Sequence, residues 1–285
     1  MLIEYLITMV NTINNNVFIY YMIKKNIFTF WDSEILPLEI KICINSWKKH
    51  CIGYNIVVLN LNNYQQYTER PIPKNSKNLS IAFQSDWIRT IVIRNNGGIW
   101  FDASILLTED INNWFDHNIK FFGVKFGERI ENWFFAAPKH SILISKWLDE
   151  YEYANSIGAE EYEAKTMKYV KWNKNTYLYH QLCLLKSANS LQIDLFNNQN
   201  IIIKDVNELG FPWLKSMPQG MGFMDAKESA LTMGEKKKVG SMYKIRGKER
   251  EFFRIAIHSK IEKGSPLYLS GYKNNKQLFT VSNYI

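Results

Sequence analysis

The chain has 285 residues and a mass of 33.6 kDa, with 46% hydrophobic, 15% aromatic and 22% charged residues, a balance that buries a core and excludes a disordered chain. A net charge of +8 and a pI near 9.1 point to an anionic partner: a nucleotide diphosphate, nucleic acid or an acidic membrane surface. The three cysteines, Cys43, Cys51 and Cys183, form no C-x-x-C pair, which suits reduced thiols in a cytoplasmic protein.

At the start of the chain, the apolar run Met1 to Val10 carries Glu4 and gives way to the polar stretch Asn11 to Asn16. It is about half the ~20 residues of a membrane span and lacks the basic start and small-residue cleavage site of a signal peptide. The expectation is a cytoplasmic chain without a spanning segment. Peripheral attachment to the inner face of the membrane, through basic residues and exposed aromatics, stays open. Ile27 to Trp31 (I-F-T-F-W) reads as a short buried strand. Glu39 to His50 places Ile40, Ile44 and Trp47 on one helix face, and Asn55 to Leu59 is a second strand. Strand, helix, strand in so few residues opens an α/β unit.

A loop with Pro71 and Pro73 precedes a helix with Ser80 as N-cap that runs to about Asn96 and stops at Gly97. Ile99 to Phe101 then reads as a buried strand ending on one carboxylate, Asp102. This helix, Gly-Gly, strand and carboxylate series places Asp86, Arg89 and Asp102 at one end of a sheet. Phe121 to Phe126 and Trp133 to Ala137 read as further strands, and Ser141 to Ala154 and Thr176 to Ser187 as helices. Phe252 to Ile257 reads as a late strand. Between them, Asp225 to Arg250, with Lys236, Lys237 and Lys238, reads either as a solvated surface loop or as a mobile basic lid over an anionic ligand. G-x-S-x-G, P-loop and G-x-G-x-x-G motifs are missing, so hydrolases, kinases and dinucleotide enzymes lose their usual support.

The segment S-D-W-I-R…N-N-G-G-I-W-F-D-A-S, residues 85–104, resembles glycosyltransferases with a D-x-D motif, those of family 32 and the large clostridial toxins. Within that group it looks most like the bacterial capsular polysaccharide synthesis proteins. Upstream I-F-T-F-W and Y-N-I-V-V-L-N, and downstream N-W-F-F-A-A-P-K-H-S at 132–141, extend the likeness over Ile27 to Tyr151; beyond Thr176 it thins. The resemblance implies a GT-A fold, a mostly parallel sheet flanked by helices that binds a nucleotide at the strands' carboxyl ends. It implies a single domain over 1–285, with a donor-binding core at 26–155 and an acceptor side, lid loop and C-terminal strand at 156–285.

Carried over by residue, the resemblance makes Asp102, Arg89 and Asp86 the catalytic set. The donor-binding set is Phe30, Trp31, Ser85, Asp86, Arg89, Gly98, Asp102, Ala103, Ser104 and Lys260, with Trp31 stacking on uracil. Asn132, Trp133, His180 and Gln181 fall to the acceptor, although a buried, hydrogen-bonded histidine is the competing account of His180. Asp102, Ser104 and His258 are the expected ligands of manganese or magnesium. Ser104 departs from the motif, for a second carboxylate would stand there. The function this implies is transfer of a sugar from a UDP-sugar to a lipid-linked capsular or surface glycan, with retention of configuration and no nucleic-acid partner. Asp102→Ala or Arg89→Ala should then abolish transfer and leave the fold intact. The alternatives are an inactive or metal-independent homologue that binds a nucleotide-sugar, and a basic nucleic-acid-binding protein.

Overall fold

β1 (Asn26–Phe30) is a short run in which every residue after Asn26 is buried, as a strand covered on both faces requires. The computed structural model describes residues 22–206, 208–209, 241–245, 250 and 254. β1 pairs in parallel with β3 (Gly98–Phe101), with Ile27 opposite Ile99 and Phe28 opposite Trp100. With β2 (Asn55–Leu59), β5 (Phe121–Phe126), β6 (Arg129–Ala137) and β7 (Ile201–Asp205) they form a six-stranded sheet of order β2-β1-β3-β6-β5-β7. The sheet is mixed, mostly parallel and flanked by helices, the α/β organisation expected from the sequence. β5 and β6 form its antiparallel hairpin, with an irregularity at Gly123 and Val124.

The chain divides into two compact units. The first is drawn from Met1–Asp32, Val57–Trp100 and Asp116–Ile203. Its longer helices are α2 (Ile81–Asn96), α3 (Ile142–Ile157), α4 (Ala159–Thr166) and α5 (Tyr179–Ser190), beside single turns at Gln65–Thr68 and Lys74–Lys77. Trp87, Ile88, Ile91, Trp147, Tyr151 and Leu182 from α2, α3 and α5 join Phe28, Trp100 and Phe135 of the sheet in one core. Ser141 caps α3, its hydroxyl accepting from the Ile144 amide at 3.5 Å.

The turn from α2 into β3 explains both glycines. Gly97 has φ +67°, and a Cβ there would stand 2.5 Å from the Lys139 amide nitrogen. Gly98 has φ +123°, and a Cβ there would stand 2.5 Å from the Asn26 carbonyl oxygen. Only glycine lets β3 begin pairing so close to β1.

The second unit is drawn from Ser33–Ile56, Phe101–Phe115 and Lys204–Ile285. Within it α1 (Leu38–His50) packs on β4 (Ile105–Leu107). Trp47 Nε1 donates to the Ile105 carbonyl at 2.7 Å, and the Leu107 amide donates to Ser46 Oγ at 2.9 Å. Glu39 in the first turn of α1 and Lys48, Lys49 and His50 in the last complement its dipole. β4 pairs antiparallel with β8 (Met242–Lys244), Ile105 lying opposite Lys244. The late end of the segment read as a basic lid is thus a strand. Lys236 to Lys238 lie outside the described residues, and of the strand expected at Phe252 to Ile257 only Arg254 is described, as helical and not extended. All three cysteines are buried and free, and burial holds the thiols of Cys43 and Cys183 well above their ordinary pKa. Among the described residues no helix is long and apolar enough to cross a membrane.

Candidate functional site

Positions 86, 89 and 90 of α2 share one helix face, since residues three and four apart are neighbours on a helix. That face carries Asp86, Arg89 and Thr90, all buried, inside the first unit. Arg89 Nη2 lies 3.2 Å from Asp86 Oδ1. Arg89 also donates through Nη1 to the Asn132 carbonyl at 2.7 Å and through Nη2 to Ser85 Oγ at 3.3 Å. Its guanidinium carbon stands 5.4 Å from the centre of the Trp100 ring. Asn132 on β6 closes the group from the other side, donating from Nδ2 to Asp86 Oδ1 at 2.9 Å.

His180 on α5 completes the network. Its Nδ1 lies 3.0 Å from Asn132 Nδ2, and its Nε2 lies 2.9 Å from Thr90 Oγ1. Asn132 Nδ2 is a donor, so Nδ1 accepts. Thr90 already donates its hydroxyl hydrogen to the Asp86 carbonyl at 2.8 Å, so it accepts from Nε2–H. The bonding pattern therefore assigns neutral imidazole with its proton on Nε2. The ring is sandwiched by Trp147, stacked at 4.4 Å, and Tyr151, edge-on at 4.6 Å.

Burial, and secondarily the positive charge of Arg89, hold His180 well below its ordinary pKa of 6.5. The unfolded chain takes up a proton below that value and the folded chain does not, so stability is full above pH 6.5 and falls as pH drops toward the depressed native value. His50 is depressed in the same sense, so the measurement is comparative. From about pH 6.5 to about pH 5 the wild-type melting temperature should fall more steeply than that of His180→Gln. Parallel pH profiles would remove His180 as the cause.

In the second unit Asp102 and Ser104 share a different partner. Lys244 Nζ donates to Asp102 Oδ2 at 2.5 Å and to Ser104 Oγ at 3.1 Å. Strand register holds Lys244 there. The Ile245 amide donates to the Ser104 carbonyl at 2.9 Å, and the Thr108 amide to the Ser241 carbonyl at 3.1 Å. Lys244 is the residue that the sequence reading passed over. Its only signal was its place inside the Lys-rich segment.

The other expected residues separate. Asp86, Arg89, Ser85, Asn132 and His180 come together. Trp31 is half-buried just beyond β1, its amide donating to the Leu59 carbonyl at 2.9 Å. Phe30 is buried and belongs to the hydrophobic core. Trp133 is buried as well, with 7% exposure. Gly98 stands at the amino end of β3 against Asn26, and the sterics of strand pairing require glycine there. His180 has no exposure and both ring nitrogens are engaged, as a buried, hydrogen-bonded histidine requires. Gln181 is buried, and its Oε1 lacks a hydrogen-bond partner among the described residues. Ala103 and Ser104 are buried beside Asp102. His258 and Lys260 lie outside the described residues. Arg89 is woven into the interior, so Arg89→Ala will not spare the fold as the sequence suggested.

Of the three ligands expected for the divalent ion that the resemblance implies, His258 lies outside the described residues, and Lys244 engages Asp102 Oδ2 and Ser104 Oγ. Among the described residues no group of three His, Cys, Asp or Glu side chains gathers to hold a metal.

A mixed α/β protein with one buried acid–base network and one lysine-capped carboxylate is the class that fold and site define. The family model described as "Capsular polysaccharide synthesis protein" matches residues 5–182, and the chain belongs to that family. No curated protein matches it. Among solved structures it is similar to "PaToxG Glycosyltransferase", at 17% identity and TM-score 0.34 over 67% of this chain and 88% of that one. It is similar to a glycosyltransferase involved in glycosylation of the major capsid of PBCV-1, at 12% identity and TM-score 0.38 over 81% and 98%. A third similarity is to the galactosyltransferase LgtC in complex with donor and acceptor sugar analogs, at 8% identity and TM-score 0.35 over 78% and 87%.

Proposed function

We propose that this member of the capsular polysaccharide synthesis family is a glycosyltransferase of GT-A type, moving a sugar from a UDP-sugar to a lipid-linked capsular or surface glycan with retention. The observation that carries the reading is the buried network of Asp86, Arg89, Asn132, Thr90 and His180 in the segment whose sequence resembles the donor site. A carboxylate and a guanidinium are costly to bury, and a fold that needs only stability does better with apolar residues there. Family membership supports the same reading.

In this reading Asp86 accepts hydrogen bonds from hydroxyls of the donor sugar. Arg89 keeps it ionised and oriented, and Asn132 and His180 are positioning residues that lock its Oδ1. Trp31, half-buried after β1, offers its ring to the uracil. The bond from the anomeric carbon to the β-phosphate oxygen breaks with its electron pair leaving on the diphosphate. The acceptor hydroxyl oxygen forms the new bond, and its proton passes to the departing diphosphate. The protein contributes position and electrostatic stabilisation of that leaving group. A cytoplasmic place, with peripheral contact at the membrane, suits a lipid-linked acceptor.

The stack is testable by titration. Trp31→Ala should raise the dissociation constant for UDP roughly 5- to 150-fold, as a base–aromatic contact of about 1–3 kcal/mol requires. An unchanged constant would take Trp31 out of the site. UDP that fails to bind wild-type protein would remove the reading itself.

A further inference from the structure

α3 carries two sets of side chains with different surroundings. Trp147 and Tyr151 sandwich His180, whereas Lys146, Asp149, Glu150 and Tyr153 line a cavity of about 550 Å³. Tyr162 and Lys165 of α4, Lys168 and Tyr169 just beyond it, and Lys186 of α5 continue its wall. All of them belong to the first unit, and none is a member of the buried network around Asp86. The volume lies in the range of ligand pockets, roughly 300–1,000 Å³.

Charge in this cavity is unevenly answered. Four lysines line it against two carboxylates, so positive charge is left over. Lys146 Nζ lies 3.3 Å from Glu150 Oε1, and Glu150 Oε2 accepts from the Tyr162 hydroxyl at 3.0 Å. Lys165 Nζ lies 2.6 Å from Glu161 Oε1. Lys168 and Lys186 have no carboxylate partner among the described residues. Both stand against the ring of Tyr169 instead, with Nζ 4.9 Å and 4.1 Å from its centre. An aromatic face attracts an ammonium but does not neutralise it. Two like charges gathered at one ring repel, and an anion bound beside them relieves that repulsion.

The rest of the wall selects among anions. Against a sheet of anionic lipid headgroups, Asp149 and Glu150 would be repelled. A single inorganic anion would fill only a small part of the space. The half-exposed rings of Tyr153 and Tyr169 offer apolar faces to sugar rings, and Asp149 offers carboxylate oxygens to sugar hydroxyls. Ammonium groups, aromatic faces and a carboxylate in one cavity are the set that an acidic saccharide uses.

We propose that this cavity binds an acidic oligosaccharide. Lys168 and Lys186 take the carboxylate of a uronate-type sugar, and Tyr153, Tyr169 and Asp149 take ring faces and hydroxyls. In a capsular polysaccharide synthesis protein such a site gives a second hold on a glycan. The inference goes beyond the nucleotide-sugar reading and stands without it.

The test is calorimetric titration of the full-length chain with four probes. They are a tetrasaccharide of alternating glucuronate and N-acetylglucosamine, the neutral chitin tetrasaccharide, inorganic phosphate, and phosphatidylglycerol vesicles. The acidic tetrasaccharide should bind about 5- to 30-fold more tightly than the neutral one, and the advantage should shrink between about 0.05 and about 0.5 M salt. Lys168→Gln and Lys186→Gln together should weaken it by a similar 5- to 30-fold, roughly the worth of two partly exposed charge contacts. Arginine at both positions should keep most of the affinity, and saturating UDP should leave it unchanged. Equal binding of the neutral tetrasaccharide would overturn the proposal, as would a folded double variant that binds the acidic one like wild type. So would displacement by UDP, which would move the glycan to the donor site. Binding of vesicles or phosphate without the tetrasaccharide would make the cavity a headgroup or phosphate site and overturn it too. Failure of UDP to bind, with the tetrasaccharide still bound, would remove the nucleotide-sugar reading and leave this one standing. The wild-type comparison of acidic with neutral glycan needs no variant, so misfolding cannot obscure it.

Discussion

Arg89→Met is expected to lower the melting temperature by roughly 6–15 °C and to abolish transfer. Methionine keeps much of the aliphatic volume over Trp100 but removes the charge. Asp86 is then left as a buried carboxylate without its guanidinium, the situation that costs about 3–5 kcal/mol when one partner of a buried pair is deleted. The Asn132 carbonyl and Ser85 hydroxyl lose their donor as well. The check is a thermal melt of three proteins: Arg89→Met, Asp86→Asn, and the two together. Asparagine at 86 still accepts from Asn132 and carries no charge, so the double variant should be less damaged than the sum of the singles. That non-additivity is the signature of direct coupling. A melting temperature unchanged in Arg89→Met, or strict additivity, would show that the pair contributes nothing to the interior.

The second large effect falls on a residue with no chemistry. Gly98→Ala puts a Cβ 2.5 Å from the Asn26 carbonyl at a backbone φ of +123°. The neighbour is backbone in a central parallel strand pair, so nothing nearby yields without separating β1 from β3. The expected cost is at least about 3 kcal/mol, strain and clash together, seen as loss of soluble protein or a marked fall in the urea midpoint. Gly127→Ala is the control. It also has positive φ, +63°, but open space around its Cβ, and should cost only about 1–2 kcal/mol. Equal losses in the two variants would mean that backbone conformation alone, and not the close approach of β1, demands glycine at 98.

Much of this architecture was legible because the periodic signals were unbroken. Asn55 to Leu59 and Phe121 to Phe126 are rich in β-branched and aromatic residues, and both strands begin and end where the sequence indicated. α2 ran from Ser80 to Gly97 because apolar spacing and glycine agreed, although the Ser80 side chain makes no capping hydrogen bond. α4 was missed because A-E-E-Y-E-A-K-T offers no apolar stripe over its two turns. β8 was missed because three residues, M-Y-K, in a lysine-rich context carry no alternation to read.

The site was legible only in part, for a similar reason. Asp86 and Arg89 lie three apart on one helix, so their pairing could be read locally. Asn132 is 46 residues from Asp86, and His180 is 90 from Thr90. Only the packing of β6 and α5 against α2 brings them in. The burial of Phe30 and Trp133 was not legible, because aromatic residues serve cores and ligand surfaces equally well and no local pattern distinguishes the two uses. Lys244 is 142 residues from Asp102, and nothing in the D-A-S segment predicts that a lysine will answer it.

The most direct measurement of the central claim is UDP release from a panel of UDP-sugars by the purified chain, first in EDTA and then with manganese. Slow hydrolysis of one UDP-sugar, in either condition, is the result this account predicts. No release from any UDP-sugar in either condition, together with no protection of the fold by UDP against heat, would contradict it.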